Sequence, residues 1–177
     1  VYRMTDGKEA ANIGLSGVVA EAVIGEVGQG YSLMSAVTDK ARLAVCADAL
    51  GAMESLNAQT LEYCKSREQF GVAIGTFQAL QHRMVDMFGA CENVRSLLYR
   101  AVCTADAGDA DARRSLLALK VMIGRAGRLI GGEAIQMHGG MGMTDALSVG
   151  HHVKRLMIIN SLFGDADYHQ QQFTALV

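Results

Sequence analysis

Seven apolar residues of this chain, Leu80, Met84, Met87, Cys91, Val94, Leu98 and Ala101, recur at alternating four- and three-residue steps. That period keeps one stripe of a helix facing a constant direction, which the two-residue alternation of a strand cannot do. The segment therefore reads as the seam of a helical bundle. The sequence contains no proline, so nothing in it enforces a helix break or a rigid turn. Ten methionines and many alanines point the same way. At 177 residues there is room for one or two domains with a real core.

Helices are expected on both sides of the seam. From about Tyr31 to Lys65 the pattern is helical, with Leu43, Ala47 and Leu50 on one face and Leu61 a few turns later. Its length, ~50 Å at 1.5 Å per residue, exceeds that of an average globular helix. A glycine-containing connection, Gly71 to Thr76, ends it and offers Thr76 as the N-cap of the seam helix. After a turn at Ala107 to Asp111, a third helix from roughly Ala112 to Met137 aligns Leu116, Leu119, Ile123, Ala126 and Ile130. Gly124, Gly127, Gly131 and Gly132 cost that helix up to ~1 kcal/mol each relative to alanine, so another backbone or a ligand is expected to approach there. Gly139-Gly140 should stop it. Thr144-Asp145 starts a shorter helix to about Ile159, and the tail holds one more.

Residues 1–24 differ from the rest: they mix β-branched residues with glycine and read as one or two strand remnants ending near Ile24. Gly25 to Gly30 then forms a loop introducing the first helix. The expected fold is mostly α: an antiparallel up-and-down helical bundle over residues 25–177, preceded by a short β remnant over 1–24. The net charge of −2 argues against a nucleic-acid surface, and no apolar run approaches the ~20 residues of a membrane helix. The opening residues have no secretory layout and read as a chain entered part-way through a strand. Cys46, Cys64, Cys91 and Cys103 lack Cys-x-x-Cys spacing and read as buried thiols of a reducing compartment, so a cytoplasmic location is expected. The histidines give no metal signature: His151-His152 are adjacent and so face different ways. His82 reads as structural, His169 as a surface group, and Lys154 and Arg155 as a solvated face.

Chemistry concentrates at the bend between the first two long helices. Arg67 sits there beside Gln69 and Phe70, and a helix N-terminus follows at Thr76 to Gln78. A guanidinium fork and a helix N-terminus both present donors to anionic oxygens, which makes a sound pyrophosphate site. Phe70, Ile74 and Phe77 offer the apolar faces that an adenine ring needs. The same spacing also suits a solvated loop whose phenylalanines cap the bundle.

The run from Ser66 to His82, Ser-Arg-Glu-Gln-Phe-Gly-Val-Ala-Ile-Gly-Thr-Phe-Gln-Ala-Leu-Gln-His, resembles the signature with which acyl-CoA dehydrogenases grip FAD across a subunit interface. Gln136-Met137-His138-Gly139-Gly140 resembles that family's Gln-x-x-Gly-Gly flavin-contact loop, and Ala20 to Gly25 its passage from β-domain into the first long helix. The resemblance covers the C-terminal half of such an enzyme. It implies that Arg67 and Gln69 meet a neighbour's FAD pyrophosphate, and that Phe70, Ile74, Phe77 and Gln78 line the adenine end. Gln136, Gly139 and Gly140, with His138 beside them, would pass close to the same cofactor. It further implies an acyl-CoA substrate, a homo- or hetero-oligomer built as a dimer of dimers, and electron-transfer flavoprotein as acceptor.

The resemblance also exposes a gap. The family removes the proton next to a thioester carbonyl with a glutamate from one of two positions. Ala41, before Arg42-Leu43, occupies one of these seats and Phe163, before Gly164-Asp165, the other. Asp165, Asp167 and Asp39 are the nearby carboxylates that would have to substitute. Asp165 and Asp167 also stand where the family contacts its own subunit's FAD, where a carboxylate repels a diphosphate. The chain thus resembles the base-less subunit of two-subunit acyl-CoA dehydrogenases. The contrasting expectation is a helical oligomerisation module that binds no flavin.

Overall fold

The computed structural model of the chain describes residues 1–176. It holds two two-residue strands that pair antiparallel, β1 (Tyr2–Arg3) and β2 (Glu9–Ala10), followed by an irregular stretch. Five helices follow: α1 (Gly30–Ser66), α2 (Gln78–Asp106), α3 (Ala112–His138), α4 (Ser148–Ser161) and α5 (Ala166–Thr174). A second hairpin, β3 (Glu68–Gln69) with β4 (Val72–Ala73), lies in the α1–α2 connection. No described helix is long and apolar enough to cross a membrane.

α3 is the axis of the bundle and touches the other four helices. Leu119, Ile123, Ala126, Ile130 and Ala134 are almost wholly buried along it, as the periodicity requires. Facing them are Met87, Cys91, Val94 and Ala101 of the α2 seam, with Leu80, Met84 and Leu98 packed at its margin. Burying each large side chain of this set contributes roughly 1.5–3 kcal/mol, which is what holds long helices side by side. The expected stripe of α1 holds in part: Leu50 is buried and Leu43 packs at the core margin, while Ala47 and Leu61 are exposed, and Cys46, Ala49, Met53, Leu56, Thr60 and Cys64 complete the inward face. Small and polar residues misled the sequence reading here, because Cys46, Ala49 and Thr60 fill the seam as fully as leucines would.

Other expectations are corrected by packing. The strands lie at residues 2–3 and 9–10, and residues 11–29 carry none. α4 begins at Ser148 rather than Thr144, whose hydroxyl donates to Met141 O in the preceding turn. The close neighbours of the glycine face of α3 are side chains of α4 and α5 at Gly124, of α1 and α4 at Gly127 and of α4 at Gly131, and space above Gly132 is open. Cys103 is exposed, unlike the other three thiols. Arg155, expected in solvent, is mostly buried and bridges Asp6 at 2.8 Å and Asp48 at 2.5 Å, fastening the β1–β2 hairpin onto α1. Lys120 is fully buried and donates from Nζ to Ile159 O (2.7 Å) and Asn160 O (3.2 Å), closing the C-terminal carbonyls of α4. Burial pushes its ammonium below the usual lysine range.

Candidate functional site

The bend after α1 is tightly made. Arg67 caps α1, its N–H donating to Tyr63 O at 2.8 Å, and its own carbonyl accepts from Ile74 N at 2.8 Å. Between these bonds runs a two-residue hairpin loop, Phe70-Gly71, in which both residues have positive φ, the type I′ arrangement. Phe70 is an unusual occupant of that conformation and stands 93% exposed. Its ring meets Phe77 edge-on at 6.2 Å. Thr76 does not cap α2: it lies in a short 3₁₀ turn, its hydroxyl donates to Ala73 O, and Phe77 takes the N-cap position without a side-chain bond. The free N–H groups at the start of α2 therefore remain available to an acceptor.

The far wall comes from the end of α3. Gly139 stops the helix at φ 59°, and Gly139–Met143 continue as a 3₁₀ turn. His138 is buried, its Nδ1 2.8 Å from Ala134 O and its ring stacked on Tyr63 at 4.3 Å. The stack joins the end of α3 to the end of α1, bringing residues 75 positions apart to one place. Between the walls lies a cleft of about 570 Å³ lined by Arg67, Gln69, Ile74, His138, Gly139 and Gly140, among others. A Cβ on either glycine would meet nothing, so the floor is bare backbone open to an approaching group. No carboxylate pairs with the Arg67 side chain among the described residues. Gln78 and Gln136 are exposed and, with Phe70 and Phe77, do not line the cleft itself. An uncompensated guanidinium facing a side-chain-free floor suits a diphosphate, and the exposed phenylalanine pair beside it suits a ring.

Ala41 and Phe163 adjoin a second cluster. Arg42, next to Ala41, binds Asp39 at 2.5 Å and donates from Nε to Phe163 O at 3.2 Å. His169, expected at the surface, is 1% exposed, and its Nε2 lies 3.1 Å from the same carbonyl. Since a carbonyl only accepts, Nε2 carries the proton and Nδ1 is left buried without a partner. Phe163 is thereby held at φ 59° from two sides. Asp165 caps α5 by accepting from Tyr168 N at 2.9 Å, and Asp167 is exposed in the first turn of that helix. Sequence reasoning missed His169 and Lys120, since neither pairs with a motif.

Burial, then the Arg42 and Lys120 charges, push the His169 imidazole below its usual range, against the opposing pull of the Phe163 carbonyl and Asp165. The unfolded chain therefore binds a proton near pH 6.5 that the folded chain still refuses. Stability should fall as pH drops through 6.5 toward the lower folded value, by at most about 1.4 kcal/mol per pH unit. Chemical denaturation from pH 7.5 to 5 should show that slope, and His169→Gln should flatten it. An unchanged slope in the variant would assign the effect to another group.

The chain is similar to known proteins in sequence and fold. The family described as acyl-CoA dehydrogenase, C-terminal domain, matches residues 28–175. The short-chain-specific acyl-CoA dehydrogenase of Megasphaera elsdenii is 34% identical over 137 residues, which are 77% of this chain and 36% of that protein. The structure of PigA with FAD and proline superposes with a TM-score of 0.82 at 31% identity, covering 86% of this chain and 40% of PigA. A Tcur3481–Tcur3483 steroid acyl-CoA dehydrogenase superposes with a TM-score of 0.75 at 32% identity, over 78% of this chain and 38% of that one. The chain thus spans little more than a third of the length of these relatives, and it belongs to the acyl-CoA dehydrogenase family.

Proposed function

With that membership as premise, we propose that this chain completes a FAD site on a neighbouring subunit of a flavin-dependent acyl-CoA dehydrogenase and supplies no catalytic base of its own. The observation carrying the reading is the cleft that joins unpaired Arg67 to the open backbone of Gly139 and Gly140. Arg67 and Gln69 would hold the pyrophosphate, while Phe70, Ile74, Phe77 and Gln78 would flank the adenine end and Gln136 the rim. When bound, FAD supplies the acceptor for the hydride that leaves the substrate's β-carbon. The α-proton must go to a carboxylate, and the local geometry leaves little to take it. Ala41 and Phe163 carry none, Asp39 is tied to Arg42, and Asp165 is spent on capping α5. A base on a partner chain resolves this.

Residues 1–24 read as the margin of a β-domain, and 25–177 as the helical domain. Ile13, Leu15, Val19, Ile24 and Tyr31 are each more than three-quarters exposed, the kind of apolar surface that other parts of an enzyme cover. The expected substrate is an acyl-CoA, with electron-transfer flavoprotein as the electron acceptor.

Co-expression with a dehydrogenase chain that carries the glutamate should yield a yellow complex that oxidises acyl-CoA in a dye-linked assay. This chain alone should not. Full activity of this chain as a homo-oligomer would overturn the base-less reading; a complex that never binds flavin would overturn the flavin reading. Phe70→Gly separates function from stability: relief of the left-handed phenylalanine should leave stability equal or higher, by up to ~1 kcal/mol, while flavin affinity falls. Equal affinity would remove Phe70 from the site.

A further inference from the structure

The start of α3 lies about 40 Å from its His138 end, at 1.5 Å per residue over 27 residues. Acidic side chains favour the first turn of a helix, where the macrodipole is positive. Here that turn holds no acid and two cations, Arg113 and Arg114. The N-cap residue, Asp111, makes no side-chain bond to the helix. Asp109 accepts from the Asp111 N–H at 2.8 Å, and the Asp111 carboxylate reaches Arg100 of α2 at 3.7 Å. Positive charge is thus set on a positive helix end, with one loosely held carboxylate to offset it.

Against this turn, between α2, α3 and α5, lies a hollow of about 290 Å³. Arg100, Arg114 and Ser115 line it, and Leu97, Ala118 and Phe173 supply its apolar wall. Ser115 is 3% exposed, and its hydroxyl has no hydrogen-bond partner. A buried hydroxyl ordinarily finds one, so an unspent donor beside two guanidiniums points to an acceptor from outside the chain. Among the described residues the Arg114 side chain meets no carboxylate; its guanidinium lies over the Phe173 ring, 5.4 Å from the centroid. The charges choose the ligand. Two guanidiniums less the Asp111 carboxylate leave one net positive charge, which a monoanion balances and a phosphate dianion overshoots. The apolar wall asks for a hydrophobic body, and the small volume limits it to a single ring or a short branched chain.

We propose that this hollow is a binding site for a small organic carboxylate. Its oxygens would meet Arg100, Arg114 and the Ser115 hydroxyl, and its apolar body would rest against Leu97, Ala118 and Phe173. The site stands apart from the Arg67 cleft and does not depend on flavin binding, so the two fail separately. Calorimetric titration of the 177-residue chain with benzoate tests it, beside benzamide, phenyl phosphate and inorganic phosphate. Benzoate should saturate one site in the millimolar range or below. Benzamide keeps the shape without the charge and should bind about tenfold more weakly or worse. Both phosphates should bind more weakly than benzoate. Arg114→Gln should lower benzoate affinity by about tenfold, with unchanged helical content because the side chain is exposed. Ser115→Ala should lower it several-fold while leaving Tm equal or higher, since it removes an unpaired buried hydroxyl. Arg128→Gln, an exposed arginine farther along α3, should bind benzoate like the parent. Benzamide matching benzoate, or either phosphate binding more tightly than it, would overturn the proposal. So would affinity indifferent to Arg114→Gln and Ser115→Ala, an equal loss in Arg128→Gln, or no saturation by millimolar benzoate.

Discussion

Gly124→Ala should destabilise the chain by about 1–3 kcal/mol, whereas Gly132→Ala, eight residues along the same helix, should stabilise it by up to ~1 kcal/mol. Both substitutions bring the same gain in helix propensity, so the difference between them is packing alone. At Gly124 an added Cβ lands 2.3 Å from Asn160 Oδ1 and 2.7 Å from the Ala166 Cβ. The amide can rotate away. The methyl of Ala166 cannot, because it opens α5 directly after Asp165, which caps that helix. Relief would require α4 and α5 to move off α3, loosening the Lys120 bonds to Ile159 and Asn160 as well. At Gly132 nothing lies within 4 Å of the new methyl. For a chain of this size each kcal/mol moves Tm by roughly 2–4 °C, so thermal melts should move in opposite directions. Equal shifts would mean that the glycine face is not the contact between α3 and the α4–α5 pair.

Arg67→Ala should weaken FAD binding by the assembled enzyme roughly 10- to 100-fold, the loss of one charge-assisted contact worth ~1.5–3 kcal/mol. Stability should scarcely change, because the side chain is exposed and makes no ion pair among the described residues. Arg67→Lys should recover only part of the affinity, since an ammonium restores charge without the planar fork that spans two oxygens. Flavin fluorescence titrations of the three proteins check both points. The half-site reading adds a detail: the loss should appear in the flavin bound to the neighbouring subunit. A complex built from variant and parent chains with distinguishable partners reads this directly.

The sequence makes the seam of α2 and the inward row of α3 legible because large apolar residues fill them at strict spacing. It partly hides the inward face of α1, where cysteine, alanine and threonine share the buried positions with Leu50, Met53 and Leu56 while Leu61 is exposed. The two walls of the cleft are legible one by one, as an arginine near a bend and a diglycine after a helix. Their meeting is implied by the family resemblance alone, since the Tyr63–His138 stack that joins them lies between residues far apart in sequence. His169 and Lys120 are hidden for a related reason. A lone polar residue reads as surface until the fold supplies carbonyls to bury it against, here Phe163 O and the end of α4. Arg155 belongs with them, because its partners Asp6 and Asp48 come from the hairpin and α1. The positive φ of Phe70 carries no sequence signal, for glycine or asparagine would be the expected occupant.

A high-resolution map of the FAD-loaded complex with a base-bearing partner tests the central claim most directly. It should show the Arg67 guanidinium within hydrogen-bonding distance of the pyrophosphate of a FAD held chiefly by the neighbouring subunit, with Gly139 and Gly140 against the same cofactor. FAD seated in the complex while Arg67 and both glycines lie away from every cofactor atom would contradict it.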